Sequence, residues 1–218
     1  MTELPVHYRG AMAGPREIAI DTPAGPARAH LHAPEGEPRM LVVLGHGAGG
    51  GVAAPDLVAA TDVATGLGAL VALTEQPYRV AGRRSPAPAP RLDLAWTAMV
   101  ATLREEAPSV PLVTGGRSSG ARVACRTAAE TGASGVLCLA FPLQPSAGKG
   151  RPPRPSRLPE LEAVEVPVLI VQGEGDPFGM PPEAPGREVA RLRGDHSLRS
   201  DMPGLRAAVG AWLAARLA

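Results

Sequence analysis

The segment from Pro111 to Thr131, PLVTGGRSSGARVACRTAAET, leaves the chain few ways to fold. Leu112-Val113-Thr114 reads as the end of a strand, and the small-residue run from Ala121 to Ala129 reads as a helix. Between them stand only Gly115-Gly116-Arg117-Ser118-Ser119-Gly120. A strand that becomes a helix within one residue holds that residue in a strained backbone conformation, here Ser118. A side chain two positions either way would collide with the backbone, and Gly116 and Gly120 avoid this. The pattern G-x-S-x-G thus puts a serine hydroxyl at the tip of a sharp turn. In a chain with 26 glycines the same letters also arise in an ordinary loop, so the remaining sequence must give the serine a purpose.

The apolar runs supply the surroundings. Met40 to Leu44, Ala69 to Leu73, Gly135 to Ala140 and Pro167 to Val171 are unbroken, as in strands buried on both faces, and Val189 to Leu192 is a weaker run. Helices are expected over Asp56 to about Thr65 behind Pro55, over Ala95 to Leu103 with Leu92 in the same stripe, and over Leu205 to Leu217. Strands alternating with helices predict an α/β fold, one domain over residues 1–218, with a mostly parallel central sheet covered by helices on both faces. Glu17 to Asp21 and Ala27 to His32 flank a Pro-Gly turn and read as an N-terminal antiparallel hairpin at the sheet edge. His30 and His32 share a strand face with no third ligand nearby, so they read as exposed edge residues and no metal site is expected.

Charge narrows the partners. With 22 basic and 21 acidic residues the net charge is +1, which gives no electrostatic case for nucleic acid or an anionic membrane. The arginine-bearing stretches Tyr78 to Pro90 and Pro142 to Pro159 lack interleaved aromatics for base stacking, and the second is too short for a helical lid. No apolar run approaches the length of a membrane span, about 20 residues. The opening MTELPVHYRG lacks the basic start and apolar core of a secretion signal, so a cytoplasmic location is expected. Cys125 and Cys138, both in apolar company, read as buried free thiols.

In parallel sheets, chemistry gathers beyond the carboxyl ends of the strands. A serine becomes a useful nucleophile when a base takes its proton and a carboxylate orients that base. His196, in Gly194-Asp195-His196-Ser197-Leu198, lies beyond the last strand; Asp176, in Gly173-Glu174-Gly175-Asp176-Pro177, lies beyond the one before. Asp195 adjoins the histidine and Glu174 is one residue off along an extended loop, so both should point elsewhere. The candidate catalytic set is Ser118, Asp176 and His196. Backbone N–H groups of Ser119 and Ala48 are the candidate oxyanion donors. His46, Gly47, Tyr78 and Arg117 are candidate substrate-facing residues, and Arg79, Arg83, Arg84 and Arg117 could together rim the cleft and favour anionic acyl groups. The run Gly45 to Gly50 also matches G-x-G-x-x-G with Glu75 downstream, a dinucleotide fingerprint. Gly51 and Pro55 delay the helix past the glycines, and that reading leaves Ser118, Asp176 and His196 unexplained, so no cofactor is expected.

The stretches LGHGAGG (Leu44 to Gly50), PYRVAGRR (Pro77 to Arg84), GGRSSGARVA (Gly115 to Ala124), VQGEGDPFG (Val171 to Gly179) and GDHSL (Gly194 to Leu198) together resemble the alpha/beta-hydrolase superfamily. More narrowly, the chain resembles its small, lidless dienelactone-hydrolase-like members, including the testis-expressed hydrolase-like group. The resemblance implies the alpha/beta-hydrolase fold without a cap domain. It also implies a Ser-Asp-His triad at Ser118, Asp176 and His196, and oxyanion donors at Ala48 and Ser119. True dienelactone hydrolases use a cysteine nucleophile where this chain has Ser118, which argues against their substrate. Two expectations follow: a serine hydrolase acting on a small ester or related acyl substrate, or a non-catalytic binding protein on the same fold.

Overall fold

The computed structural model describes residues 14–145 and 154–217. Of the second basic stretch, Lys149 and Arg151 lie outside the described residues. Eight strands form one sheet: β1 Arg16–Thr22, β2 Gly25–His32, β3 Met40–Gly45, β4 Ala69–Glu75, β5 Leu112–Arg117, β6 Gly135–Leu139, β7 Val168–Gly173 and β8 Arg187–Leu192. Their spatial order is β1-β2-β4-β3-β5-β6-β7-β8. β1 pairs antiparallel with β2, and β2 antiparallel with β4; every pairing from β4 to β8 is parallel.

The unbroken apolar runs have the reason inferred for them. Along β3, Leu41 and Val43 face one core while Met40, Val42 and Leu44 face the other, and all five are fully buried. The first core is closed by α3 (Ala89–Arg104), α4 (Ser119–Arg126) and α6 (Leu158–Glu162) through Trp96, Met99, Leu103, Val123, Cys125 and Leu161. The second is closed by α1 (Pro55–Gly66) and α7 (Met202–Ala214) through Leu57, Ala60, Leu205, Val209, Trp212 and Leu213. Among the described residues no cap domain stands over the sheet, and no helix is long and apolar enough to cross a membrane.

Three local readings need correction. The prolines of the stretch Tyr78 to Pro90 do not make it all loop. The stretch enters α2 (Pro77–Val80), opened by Pro77 just before it, and Pro90 lies in the first turn of α3, where proline is accepted because its N–H has no helical partner. The helix expected over Ala121 to Ala129 is interrupted at Thr127 and continues as the short α5 (Ala128–Thr131), and α6 is a short helix that periodicity does not reach. The hairpin is at the sheet edge only through β1. Its second strand is interior, so His30 is half-buried between Glu17, 3.5 Å from Nδ1, and Glu75, 3.1 Å from Nε2.

After β3 the chain passes to β4 on one side and returns to β5 on the other. The loops leaving β3 and β5 therefore meet at the point where the strand order reverses, where open α/β sheets form a crevice.

Candidate active site

Ser118 occupies the joint between β5 and α4 with φ 51° and ψ −104°, a conformation that costs a side-chain-bearing residue free energy. The flanking glycines are obligatory. A Cβ on Gly116, itself at φ +152°, would lie 2.3 Å from the Gly45 carbonyl oxygen, and one on Gly120 2.4 Å from the same atom. The turn is therefore pressed against the end of β3, and only hydrogen at both positions permits the approach.

Ser118 Oγ lies 3.0 Å from His196 Nε2, and His196 Nδ1 lies 2.7 Å from Asp176 Oδ2. Three loops, after β5, β7 and β8, bring these side chains into one hydrogen-bonded line. Asp176 is buried, and its carboxylate is saturated by the protein: Oδ1 accepts from the Phe178 N–H at 2.8 Å, and Oδ2 accepts from Gln172 Nε2 at 2.7 Å. Gln172 is fully buried on β7, and its Nε2 also lies within hydrogen-bond distance of the carbonyls of Phe141 and Gly179, its two hydrogens shared among the three acceptors, so the carboxylate is locked to the sheet. The Phe178 ring meets the His196 imidazole edge-on, centroids 4.6 Å apart. Asp195 turns away, its Oδ1 accepting from the Ser197 N–H and hydroxyl, and Glu174 is exposed.

The loop after β3 is braced from within. The Gln76 backbone N–H donates to His46 Nε2 at 3.2 Å, which leaves the ring proton on Nδ1 to donate to the Gly47 carbonyl at 2.8 Å. His46 is buried, with both nitrogens used, and its pKa is lowered, chiefly by burial. Tyr78 donates its hydroxyl to the Ala48 carbonyl at 3.1 Å and packs edge-on against His46. Two of the candidate substrate-facing residues thus hold the glycine loop in place: His46 has both ring nitrogens engaged, and the Tyr78 hydroxyl has its proton engaged. Among the described residues the N–H groups of Ala48 and Ser119 have no acceptor within the protein. Ser119 N lies at the first turn of α4, where helical N–H groups are unpaired.

Comparison with known proteins gives this geometry a context. A sequence model of the alpha/beta hydrolase domain matches residues 38–200, most of the chain. The chain belongs to the alpha/beta hydrolase domain family. Among solved structures, this chain is similar to a lidless alpha/beta serine hydrolase from Xanthomonas campestris. The two are 19% identical with a TM-score of 0.74, over 92% of this chain and 94% of the other. It is also similar to an esterase from Pyrococcus furiosus (16% identity, TM-score 0.72, 98% and 99% covered). The dienelactone hydrolase from Anabaena variabilis is similar as well (16%, 0.68, 94% and 97%). At such identities the likeness is one of fold. Comparison with curated protein sequences gives no significant match.

Two further features of the site escape the sequence reading. Arg117 does not rim an open cleft. Its Nε lies 2.9 Å from Asp56 Oδ2, off the direct N–H line, and its Nη2 donates to the His196 carbonyl at 2.9 Å. Asp56 belongs to the first turn of α1, is 1% exposed, and has its pKa raised by burial against the opposing pull of Arg117. The sequence signal for Asp56 was only that of an acid in the first turn of a helix. Arg83 and Arg84 are exposed. Arg83 lines, with Arg91, Gln76 and Tyr78, a cavity of about 350 Å³ whose walls include none of Ser118, Asp176 and His196.

Proposed function

We propose that the protein is a serine hydrolase that cleaves a carboxylic ester or thioester through a Ser118–His196–Asp176 triad. The observation that carries the reading is the unbroken line from Ser118 Oγ through His196 to Asp176 Oδ2, with contacts of 3.0 and 2.7 Å. Asp176 holds the proton on Nδ1, which leaves Nε2 as the base facing the serine. As His196 takes the hydroxyl proton, Ser118 Oγ bonds to the substrate carbonyl carbon, and the N–H groups of Ala48 and Ser119 receive the developing oxyanion. His196 then returns the proton to the leaving oxygen or sulfur, and an acyl-Ser118 ester remains. Water attacks this ester with His196 again as base; the acid leaves and Ser118 regains its proton. The similarity to an esterase and to a lidless serine hydrolase supports the reaction class. The absence of a cap domain among the described residues supports a site open to small acyl groups of varied shape.

A fluorophosphonate probe followed by peptide mapping tests the reading. Labelling is expected at Ser118, with simple esters hydrolysed and Ser118→Ala lowering turnover by on the order of 10⁶. A protein that leaves Ser118 unlabelled and esters of several chain lengths intact is not this enzyme.

A further inference from the structure

We propose that Arg117, the residue before the nucleophile, is a positioning residue that holds the His196 loop in register with Ser118, with the buried Asp56 carboxylate as its anchor. The inference rests on the hydrolase reading above. Arg117 is the last residue of β5, so its backbone is set by the sheet, opposite Leu139 of β6. Its side chain crosses the site and touches the two other loops that the reaction needs. Nη2 donates to the main-chain carbonyl of His196, and a Cβ placed on Gly47 would be 3.1 Å from Nη1, so the guanidinium packs close against the glycine loop. Asp56, on α1, lies against Nε of the same guanidinium.

The His196 loop needs such a tether. It contains Gly194 at φ +110° and Leu198 at φ +54°, the latter a strained conformation for leucine. Its first half is pinned to the end of β7. The Gly175 N–H donates to the Gly194 carbonyl at 2.8 Å, and Gly173 is packed so tightly on Asp195 that a Cβ would lie 2.4 Å from its oxygen. At His196 itself, Asp176 and Ser118 restrain only the ring; Arg117 restrains the backbone that carries it. A planar guanidinium can serve a carboxylate and a carbonyl at once, whereas an ammonium on a flexible stem cannot hold both in fixed geometry. The burial explains the pairing: removing Arg117 leaves the Asp56 carboxylate buried without a counter-charge, and removing both does not.

The test compares wild type, Arg117→Ala, and the double variant Asp56→Ala with Arg117→Ala, which avoids a lone buried charge should the single variant fold poorly. Each is followed by near-ultraviolet circular dichroism, by the rate of fluorophosphonate labelling, and by a crystal structure. Arg117→Ala is expected to label about 10²-fold more slowly. Its crystal structure should show the His196 ring displaced from Ser118. Millimolar guanidinium ion should restore part of the rate while urea does not. The double variant is expected to keep native circular dichroism and still label slowly. Labelling at the wild-type rate in either variant, or a His196 ring unmoved from Ser118, overturns the proposal. Should wild type itself fail to label, the hydrolase reading falls. The position of the His196 ring in the folded variant then decides the tether: displacement upholds it and an unmoved ring removes it.

Discussion

A serine hydroxyl is no stronger a nucleophile on a turn than on a strand. What distinguishes position 118 is a backbone that lifts the hydroxyl to within 3.0 Å of an imidazole nitrogen and is kept strained by two glycines against Gly45. His46 shows the opposite use of the same side-chain type. It accepts from one backbone N–H and donates to one carbonyl, which is possible only for the neutral ring. Its folded pKa is below the ordinary 6.5, chiefly through burial. Protonation therefore favours the unfolded chain. The stability due to neutral His46 is complete above pH 6.5 and is lost as the pH falls from there toward the lower folded value. Urea midpoints measured between about pH 5 and about pH 8 should fall on the acid side. Replacing His46 by Gln, which cannot gain a charge, should flatten that limb while lowering stability near neutrality. An unchanged acid limb in His46→Gln would assign the loss to other groups.

At the scale of elements, α4 carries the nucleophile on only eight residues, too few to persist without tertiary support. It is fastened from both sides. Arg122 donates to Glu160 of α6, Arg126 donates to Asp93 of α3 at 2.6 and 2.9 Å, and Arg126 also reaches Glu160 at 3.3 Å. On its inner face Cys125 meets Cys138 of β6, sulfur to sulfur at 3.5 Å, both buried and both free. The Cys138 thiol is pushed up well above its ordinary range, first by the hydrogen bond with Cys125 and then by burial. Since the thiolate is the reactive form, an aromatic disulfide reagent should modify neither thiol in the native protein and both on unfolding in urea. Modification at the rate of free cysteine under native conditions would mean that α4 lifts readily from the sheet. This packing also marks what the sequence could and could not tell. Strands with both faces buried have no polar side to disguise them, so β3, β4, β6 and β7 were legible as apolar runs. The elbow was legible because G-x-S-x-G is a compact local pattern, although the atoms that forbid a side chain on Gly116 and Gly120 belong to Gly45 on β3. Serine, acid and histidine were legible because each follows a strand in a fixed order. Asp56, Gln172 and the role of Arg117 were not, because their partners lie on other elements and local spacing carries no record of them. His30 was misjudged for the same reason: whether a hairpin strand is an edge depends on β4, some forty residues away.

Across the whole molecule, the sheet divides the interior into two cores, and the candidate site lies at the rim between them. Ser118 is tied through α4 to the core closed by α3 and α6, while Arg117 reaches Asp56 on α1, which helps close the other. If one core could melt before the other, the triad would be lost at partial unfolding. The chain carries its own reporters: of its two tryptophans, Trp96 is buried in the first core and Trp212 in the second. Every strand from β3 to β7 contributes side chains to both cores, so neither core can lose its helices without exposing the sheet that supports the other. One cooperative transition is therefore expected, as for a single domain. Trp212→Phe leaves Trp96 as the fluorescent reporter, and Trp96→Phe leaves Trp212. Within each variant, fluorescence and far-ultraviolet circular dichroism should give the same urea midpoint and slope, although the two variants will differ in absolute stability. A Trp212 transition that precedes the loss of circular dichroism would instead show α1 and α7 leaving the sheet first. Arg117 would then lose its anchor on Asp56 while the elbow was still folded.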